Sequence, residues 1–353
     1  MNKILPVVMD TSFNRLAVIN DYSSFIWTSR YYNTGDFQLI TDVNPKNISL
    51  FKKDYYLDRD DDENTGIIED IIIQRNEEGK DQLIVKGRFL QSILSRRIVG
   101  TVASERSFED ETVTDVIDSL ITKNIINPTS TNRKISNFVS NYTAFESDTI
   151  SGFFMGENLM TIVSKLCEEH GIGFKVTLYN GNKFRFQLYE GVDRTYDQND
   201  RPWVVFSNKY NNMLSSEYEE NYQKRISAVW IRGQDTEIGE EDSLWVAIGE
   251  ESTGIIRREF YKDAKSIDRK DFNTFTYRKF LQQAGYEAFT NYSVAFQGVV
   301  YFGDNVYRQE INLGDLCVIE NSDWGISVNS RLVEVIESVN EVGEYSITPT
   351  FGI

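Results

Sequence analysis

Nucleophilic catalysis of the Ser-His-Asp or Cys-His kind needs a histidine beside the nucleophile. This chain of 353 residues has one histidine, His170, and two cysteines, Cys167 and Cys317. The pattern around His170 puts it in the last turn of a helix, where a cation meets the negative end of the dipole, so a structural role is sufficient. Cys167 falls on the apolar side of that helix and Cys317 in a strand-like run. Both read as small buried hydrophobes, not as a disulfide framework or part of a zinc site. Carboxylates are abundant, at 54 Asp plus Glu, so some pair will always resemble a glycosidase couple. That chemistry needs two carboxyls held across a cleft, and no local motif supports one here. The expectation is therefore no catalytic residue, no cofactor-binding residue and no metal ligand.

The sharpest acidic feature runs from Asp58 to Glu69. Asp58, Asp60, Asp62 and Glu69 keep the spacing of calcium-loop ligands, but Glu63 stands where such a loop needs glycine, and the flanks look like strands. The favoured reading is a solvated loop between two strands, held extended by like charges, with calcium binding left open. Arg96-Arg97 and Arg257-Arg258 sit in or beside apolar runs and read as makers of buried or interface ion pairs. No glycine spacing matches a phosphate-binding loop. The net charge of −17 gives no footprint for gripping DNA, although an acidic wall would let DNA slide past.

Elements must position whatever these residues do. Aromatics make up 13% of the chain, which suits half-buried strands. The first hundred or so residues read as a meander: strands at Asp36–Ile40, Phe51–Leu57, Ile67–Gln74 and Gln82–Arg88. A helix follows, capped by Ser107, with Val113, Val116, Ile117, Leu120 and Ile121 on one face. A second helix carries Leu159, Ile162, Val163, Leu166 and Cys167, with Gly171 at its left-handed end. Asn180-Gly181 then turns a hairpin. Later strands are expected at Trp203–Phe206, Ile226–Arg232, Leu244–Ile248, Ile255–Phe260, Val294–Tyr301, Val306–Ile311, Leu316–Glu320, Arg331–Val339 and Tyr345–Phe351. One helix interrupts them over roughly 269–290. The N-terminus has no signal-peptide pattern, and no run approaches the ~20 apolar residues of a membrane helix. The expected product is a soluble protein made in a cytoplasm.

Several runs, in order, resemble the hub proteins of siphophage tails, a group related to the N-terminal region of tail-associated lysins and to contractile-phage baseplate hubs. They are Tyr32–Leu39, Val85–Leu90 with Ile93–Ile98, Glu190–Thr195, Val204–Ser207, Arg258–Ala264, Leu313–Leu316 and Thr348–Gly352. The resemblance implies a mainly β, α+β fold, with two barrel-like β domains forming a ring and α+β domains at its periphery. Residues 1–105 would be the first barrel-like domain, 106–200 an α+β domain, and 201–353 the second barrel-like domain with an insertion at about 233–292. It implies a homotrimer at the virion tail tip, assembled in the host cytoplasm. The distal tail protein, tape-measure protein and receptor-binding or fibre proteins would be its partners. DNA would pass through the channel without specific binding. Many relatives continue into a further domain, whereas this chain stops where the hub would stop, so the expectation is either a bare hub or a truncated chain. The rival reading is a tail-associated cell-wall hydrolase or carbohydrate-binding module, motivated by the aromatics and carboxylates.

Overall fold

Alternation of buried and outward residues makes strands of Ser24–Arg30, Asp36–Asp42 and Asp81–Phe89, and their buried members Phe25, Trp27, Phe37, Leu39, Val85 and Phe89 share one core. The computed structural model describes residues 4–352 except 76, 78, 143, 144, 146, 237, 248–252, 290–292 and 301–305, with backbone alone for 103 and 293–299. The chain is mainly β, with 42% strand and 20% helix.

One sheet of eleven strands dominates. Its centre is the long strand Ile326–Val339. The first half of that strand pairs with Leu316–Asn321 and the second half with Ser24–Arg30, while Tyr345–Gly352 runs along its other side. From Ser24–Arg30 the sheet continues through Asp36–Asp42, Asp81–Phe89, Gly66–Arg75, Tyr56–Arg59 and Pro6–Met9 to Arg15–Val18. Beyond Leu316–Asn321 it ends at Val205–Ser207, which pairs in parallel. No closed barrel forms among the described residues. The two β regions expected as separate barrel-like units are joined, because one strand of 14 residues is long enough to pair with both.

Four cores fill the molecule. One lies under the N-terminal strands, and one lies between the C-terminal strands and Val205–Ser207. The α+β core packs the helices Val113–Ile121 and Leu159–Glu169 against the hairpin Gly173–Tyr179/Lys183–Tyr189. The fourth packs the helix Thr274–Tyr286 on a small sheet of Ala228–Arg232, Ser243–Ala247 and Glu259–Asp263. Every residue expected on the apolar faces of the first two helices is buried. So are both cysteines.

Some boundaries differ from expectation. Residues 107–112 form a strand paired with Thr149–Phe153, and Thr112, not Ser107, caps the helix by accepting from Asp115 N. Phe51–Leu57 is not a strand. Asn44 caps a helix over Pro45–Leu50, with Pro at its start where the lost N–H costs nothing, and the strand begins at Tyr56. Residues 306–311 turn instead of extending. Ile255 and Ile256 lie in a short 3-10 turn ahead of the strand Glu259–Asp263. Tyr301, Ile248 and Thr290, at expected element ends, lie outside the described residues.

Candidate functional site

The N-terminal sheet, the α+β unit and the C-terminal strands meet at two neighbouring points, both rich in polar side chains. The first is built on Tyr31, at the end of Ser24–Arg30. Its ring is buried. Its hydroxyl donates towards Gly171 O at 3.1 Å and Tyr189 O at 3.2 Å and accepts from Gly191 N at 3.0 Å. Burial pushes this phenol up to about 12. Gly173 and Gly314 lie flat against the ring: a Cβ at either would sit 2.2 Å from it, and Gly314 also has φ +95°. Arg331 stacks over the ring, 5.4 Å from its centroid. Beside it, buried Asp315 accepts from Val192 N at 2.8 Å, Arg194 Nε at 2.9 Å and Asn312 N at 2.9 Å. Two of the family-like runs, Glu190–Thr195 and Leu313–Leu316, are thus brought together as the two sides of one joint. A third and fourth, Tyr32–Leu39 and Val85–Leu90, pair strand to strand, with Phe37 opposite Gly87.

The second point is an ionic cluster under the acidic run. Arg59 is fully buried and lies 5.5 Å from the Trp27 ring. It donates to both oxygens of buried Glu337, at 3.2 and 3.1 Å, and to both oxygens of Asp61, at 3.0 and 2.7 Å. Arg308 bonds Asp62, and Glu337 at 2.9 Å. Tyr345 Oη donates to Glu337 at 2.8 Å. Burial opposes the charge on Arg59, yet the hydrogen bond to Asp61 and the field of Glu337 hold it protonated more firmly than usual. Burial pushes Asp62 up, against the pull of Arg59 and Arg308.

The run Asp58–Glu69 turns between the strands Tyr56–Arg59 and Gly66–Arg75, as expected, but its charges are held by partners and not by mutual repulsion. Thr65 donates to Asp58 and Arg15 pairs with Asp60, each at 2.8 Å. Lys175 reaches Glu63 at 2.8 Å, and Arg88 grips both oxygens of Glu69 at 2.7 and 2.9 Å. Among the described residues no group of three or more His, Cys, Asp or Glu could hold a metal ion. The four residues at calcium-loop spacing are held by separate partners of the chain itself. A cleft of about 740 Å³ opens beside the cluster, edged by Arg30, Asp61, Glu63, Lys175, Glu190 and Arg308. Its charges are mostly engaged in pairs across the three units. The pairs tie the three units to one another.

His170 closes its helix as expected, and its Nδ1 lies 2.9 Å from Asp148. Of the expected arginine pairs, Arg257 makes an ion pair, with Glu259 at 2.6 Å. Arg97 makes none, bonding instead to the carbonyls of Arg96 and Arg133. Sequence reasoning missed Arg59, Arg308, Tyr31, Asp315 and Glu337. The one signal for them was a lone arginine inside an acidic run.

Residues 5–353 match the family described as Siphovirus ReqiPepy6 Gp37-like protein. No curated protein matches the sequence. Among solved structures, a tail protein from Neisseria meningitidis MC58 is 12% identical with TM-score 0.57, over 100% of this chain and 97% of that one. The prophage MuSo2 43 kDa tail protein from Shewanella oneidensis is 11% identical with TM-score 0.57, over 99% and 98%. Prophage tail protein gp18 from Listeria monocytogenes EGD-e is 12% identical with TM-score 0.52, over 99% and 94%. At these identities the likeness is one of fold.

Proposed function

This chain belongs to the Siphovirus ReqiPepy6 Gp37-like protein family of phage tail proteins, and from that premise we propose that it is a non-enzymatic structural hub at the tail tip. In this reading three copies form a ring that continues the tail tube. The distal tail protein lies above, fibre or receptor-binding proteins lie below, and the tape-measure protein and DNA run through the centre. The three-part division at about 105 and 200, with an insertion near 233–292, is part of the proposal.

The observation that carries it is the open main sheet. Arg15–Val18 and Tyr345–Gly352 each have one strand neighbour among the described residues, whereas the third edge, Val205–Ser207, is capped by Asn212, which accepts from Ser207 N and donates to Val205 O. Leu16 and Val18 on the first of these are exposed. Unpaired N–H and C=O rows of this kind are templates for strands of another copy, and a closed ring of copies would remove the edges. The −17 charge suits a channel along which DNA slides. The joint around Tyr31 and Arg59 would then carry a movement of the outer units to the ring. Mass in solution tests the reading. A trimer, alone or with its tail partners, is expected; a strict monomer at micromolar concentration with the partners present overturns it.

A second reading, carbohydrate binding, has one observation of its own. Trp245, Trp230 and Tyr261 stand in register across the small sheet, on the face away from its helix, with Trp230 5.6 Å from Tyr261 and 6.3 Å from Trp245. Binding of host cell wall that Trp230→Ala and Trp245→Ala abolish, without clearing on a zymogram, would favour it. Clearing abolished by single Asp or Glu substitutions would favour a hydrolase and sink the purely structural view.

A further inference from the structure

Most arginines described above are matched to carboxylates, as an acidic chain allows. Three that share one pocket are not, apart from a contact of Arg96 with Glu69 at 3.9 Å. Arg96, Arg97 and Arg133 line a depression of about 290 Å³, with Ser95, Ile98 and Asn132 completing it. It lies where the 3-10 helix Leu90–Arg96 meets the 3-10 turn Thr131–Arg133. Arg97 spends three N–H groups on main-chain carbonyls: Nε and Nη2 on Arg133 O, at 3.1 and 2.9 Å, and Nη1 on Arg96 O at 3.0 Å. Arg133 donates to Thr101 Oγ1 at 2.7 Å, Ile98 O at 2.5 Å and Asn124 Oδ1 at 3.0 Å. All of these acceptors are neutral. Among the described residues the one carboxylate in range of the group is Glu69, 3.9 Å from Arg96 and already gripped by both arms of Arg88.

Carbonyl bonds at the ends of short helices account for where Arg97 and Arg133 are placed, but they leave the charge unbalanced. Burial, then the neighbouring charges of Arg133 and Arg96, make the cationic form of Arg97 less favourable than usual. With five N–H groups on each guanidinium, two on Arg97, two on Arg133 and all five on Arg96 have no hydrogen-bond partner among the described residues. These are directional donors for a tetrahedral or planar oxyanion.

We propose that the Arg96–Arg97–Arg133 pocket is a binding site for a small phosphate-bearing anion, which ties the Leu90–Arg96 segment to the 131–133 turn. Phosphate is favoured over a carboxylate by charge. Three arginines line the pocket, a carboxylate supplies one negative charge, and a phosphate monoester supplies about 1.5 to 2 near neutral pH. A small anion is favoured over a polymer by the surroundings. A nucleic-acid strand leaving the pocket would run across the surface of a chain with net charge −17, whereas a small phosphate need only enter the local positive field. The proposal stands apart from the hub reading, since it needs neither a trimer nor a tail partner.

The test uses the full chain and inorganic phosphate, with acetate and a short oligothymidylate as comparison arms at matched ionic strength, followed by calorimetry and thermal unfolding. The expected result is saturable phosphate binding that raises the melting temperature, with no comparable effect of acetate or the oligonucleotide. Arg96→Gln decides the matter, because among the described residues Arg96 makes no hydrogen bond and only a long contact with Glu69, at 3.9 Å, so the fold is expected to survive its loss. It should weaken phosphate binding by about tenfold or more, the scale of one charged hydrogen bond. Arg133→Lys, which keeps the charge and loses the fork, should weaken it less. No saturable phosphate effect, or one undiminished in Arg96→Gln, overturns the site. Equal stabilisation by acetate overturns the phosphate class. Tighter binding of the oligonucleotide through the same arginines overturns the small-ligand assignment.

Discussion

At the scale of single residues, Tyr31 and Arg59 do the most to hold the three units together. Tyr31→Phe keeps the packing against Gly173 and Gly314 but strips Gly191 N of its acceptor, so a cost of about 1–3 kcal/mol is expected in urea unfolding. Arg59→Ala removes the main counter-charge of a buried carboxylate. Glu337 keeps Arg308 and Tyr345, so the loss should fall near the low end of the roughly 3–5 kcal/mol seen when a buried pair is broken. Acid has a predictable sign at the same cluster. Asp62 is raised above its ordinary value by burial, so the folded state takes up its proton first and gains stability as pH falls towards the unfolded value of about 3.9. Asp61 is lowered: burial opposes its charge, but its bond to Arg59 outweighs that. Its contribution is present above that unfolded value and is lost as pH falls through the lowered one. Unfolding midpoints at pH 7, 5 and 3 should therefore show a difference between wild type and Asp62→Asn that shifts in favour of wild type as pH falls from 7 to 3.

At the scale of elements, what was legible in the sequence was local. The faces Val113–Ile121 and Leu159–Cys167 follow a 3.6-residue period that one core reads directly, and the Asn180-Gly181 turn has the positive φ angles that its residues favour. The first helix start was misplaced because Ser107 and Thr112 are each followed by an aspartate three residues on. What separates them is non-local: Phe108 is buried, and residues 107–112 pair with Thr149–Phe153. The observed cap predicts that Thr112→Ala costs about 1 kcal/mol in thermal or urea unfolding, with Ser107→Ala nearly silent. The joint was illegible for the same reason. Arg59 and Glu337 lie 278 positions apart, and no periodicity links an arginine in an acidic run to a glutamate in a late strand. The runs Glu190–Thr195 and Leu313–Leu316 stood out in the sequence, but their meeting at Asp315 did not.

At the scale of the whole molecule, the open sheet makes the assembly reading testable without disturbing the fold. Leu16 is exposed on the edge strand Arg15–Val18, so Leu16→Lys should leave the melting temperature of the isolated chain nearly unchanged. Edge lysines block pairing with another strand. If this edge joins copies in the hub, the same substitution should shift the mass distribution from trimer to monomer.

The long strand Ile326–Val339 carries a further consequence, for the order in which the molecule comes into being. Ser24–Arg30 is made early, yet its partner Glu334–Val339 emerges some three hundred residues later. A chain still on the ribosome would hold the edge of Ser24–Arg30 open until residues 334–339 emerge. The central pairing closes only then. Such distant pairing makes for slow folding and a long window of exposure to wrong strand partners. A nascent chain stalled before residue 326 should be sensitive to protease in its N-terminal strands, and one extended past 352 should be resistant. The sheet that would join subunits in the assembled particle is thus completed only once Ile326–Gly352 has been made.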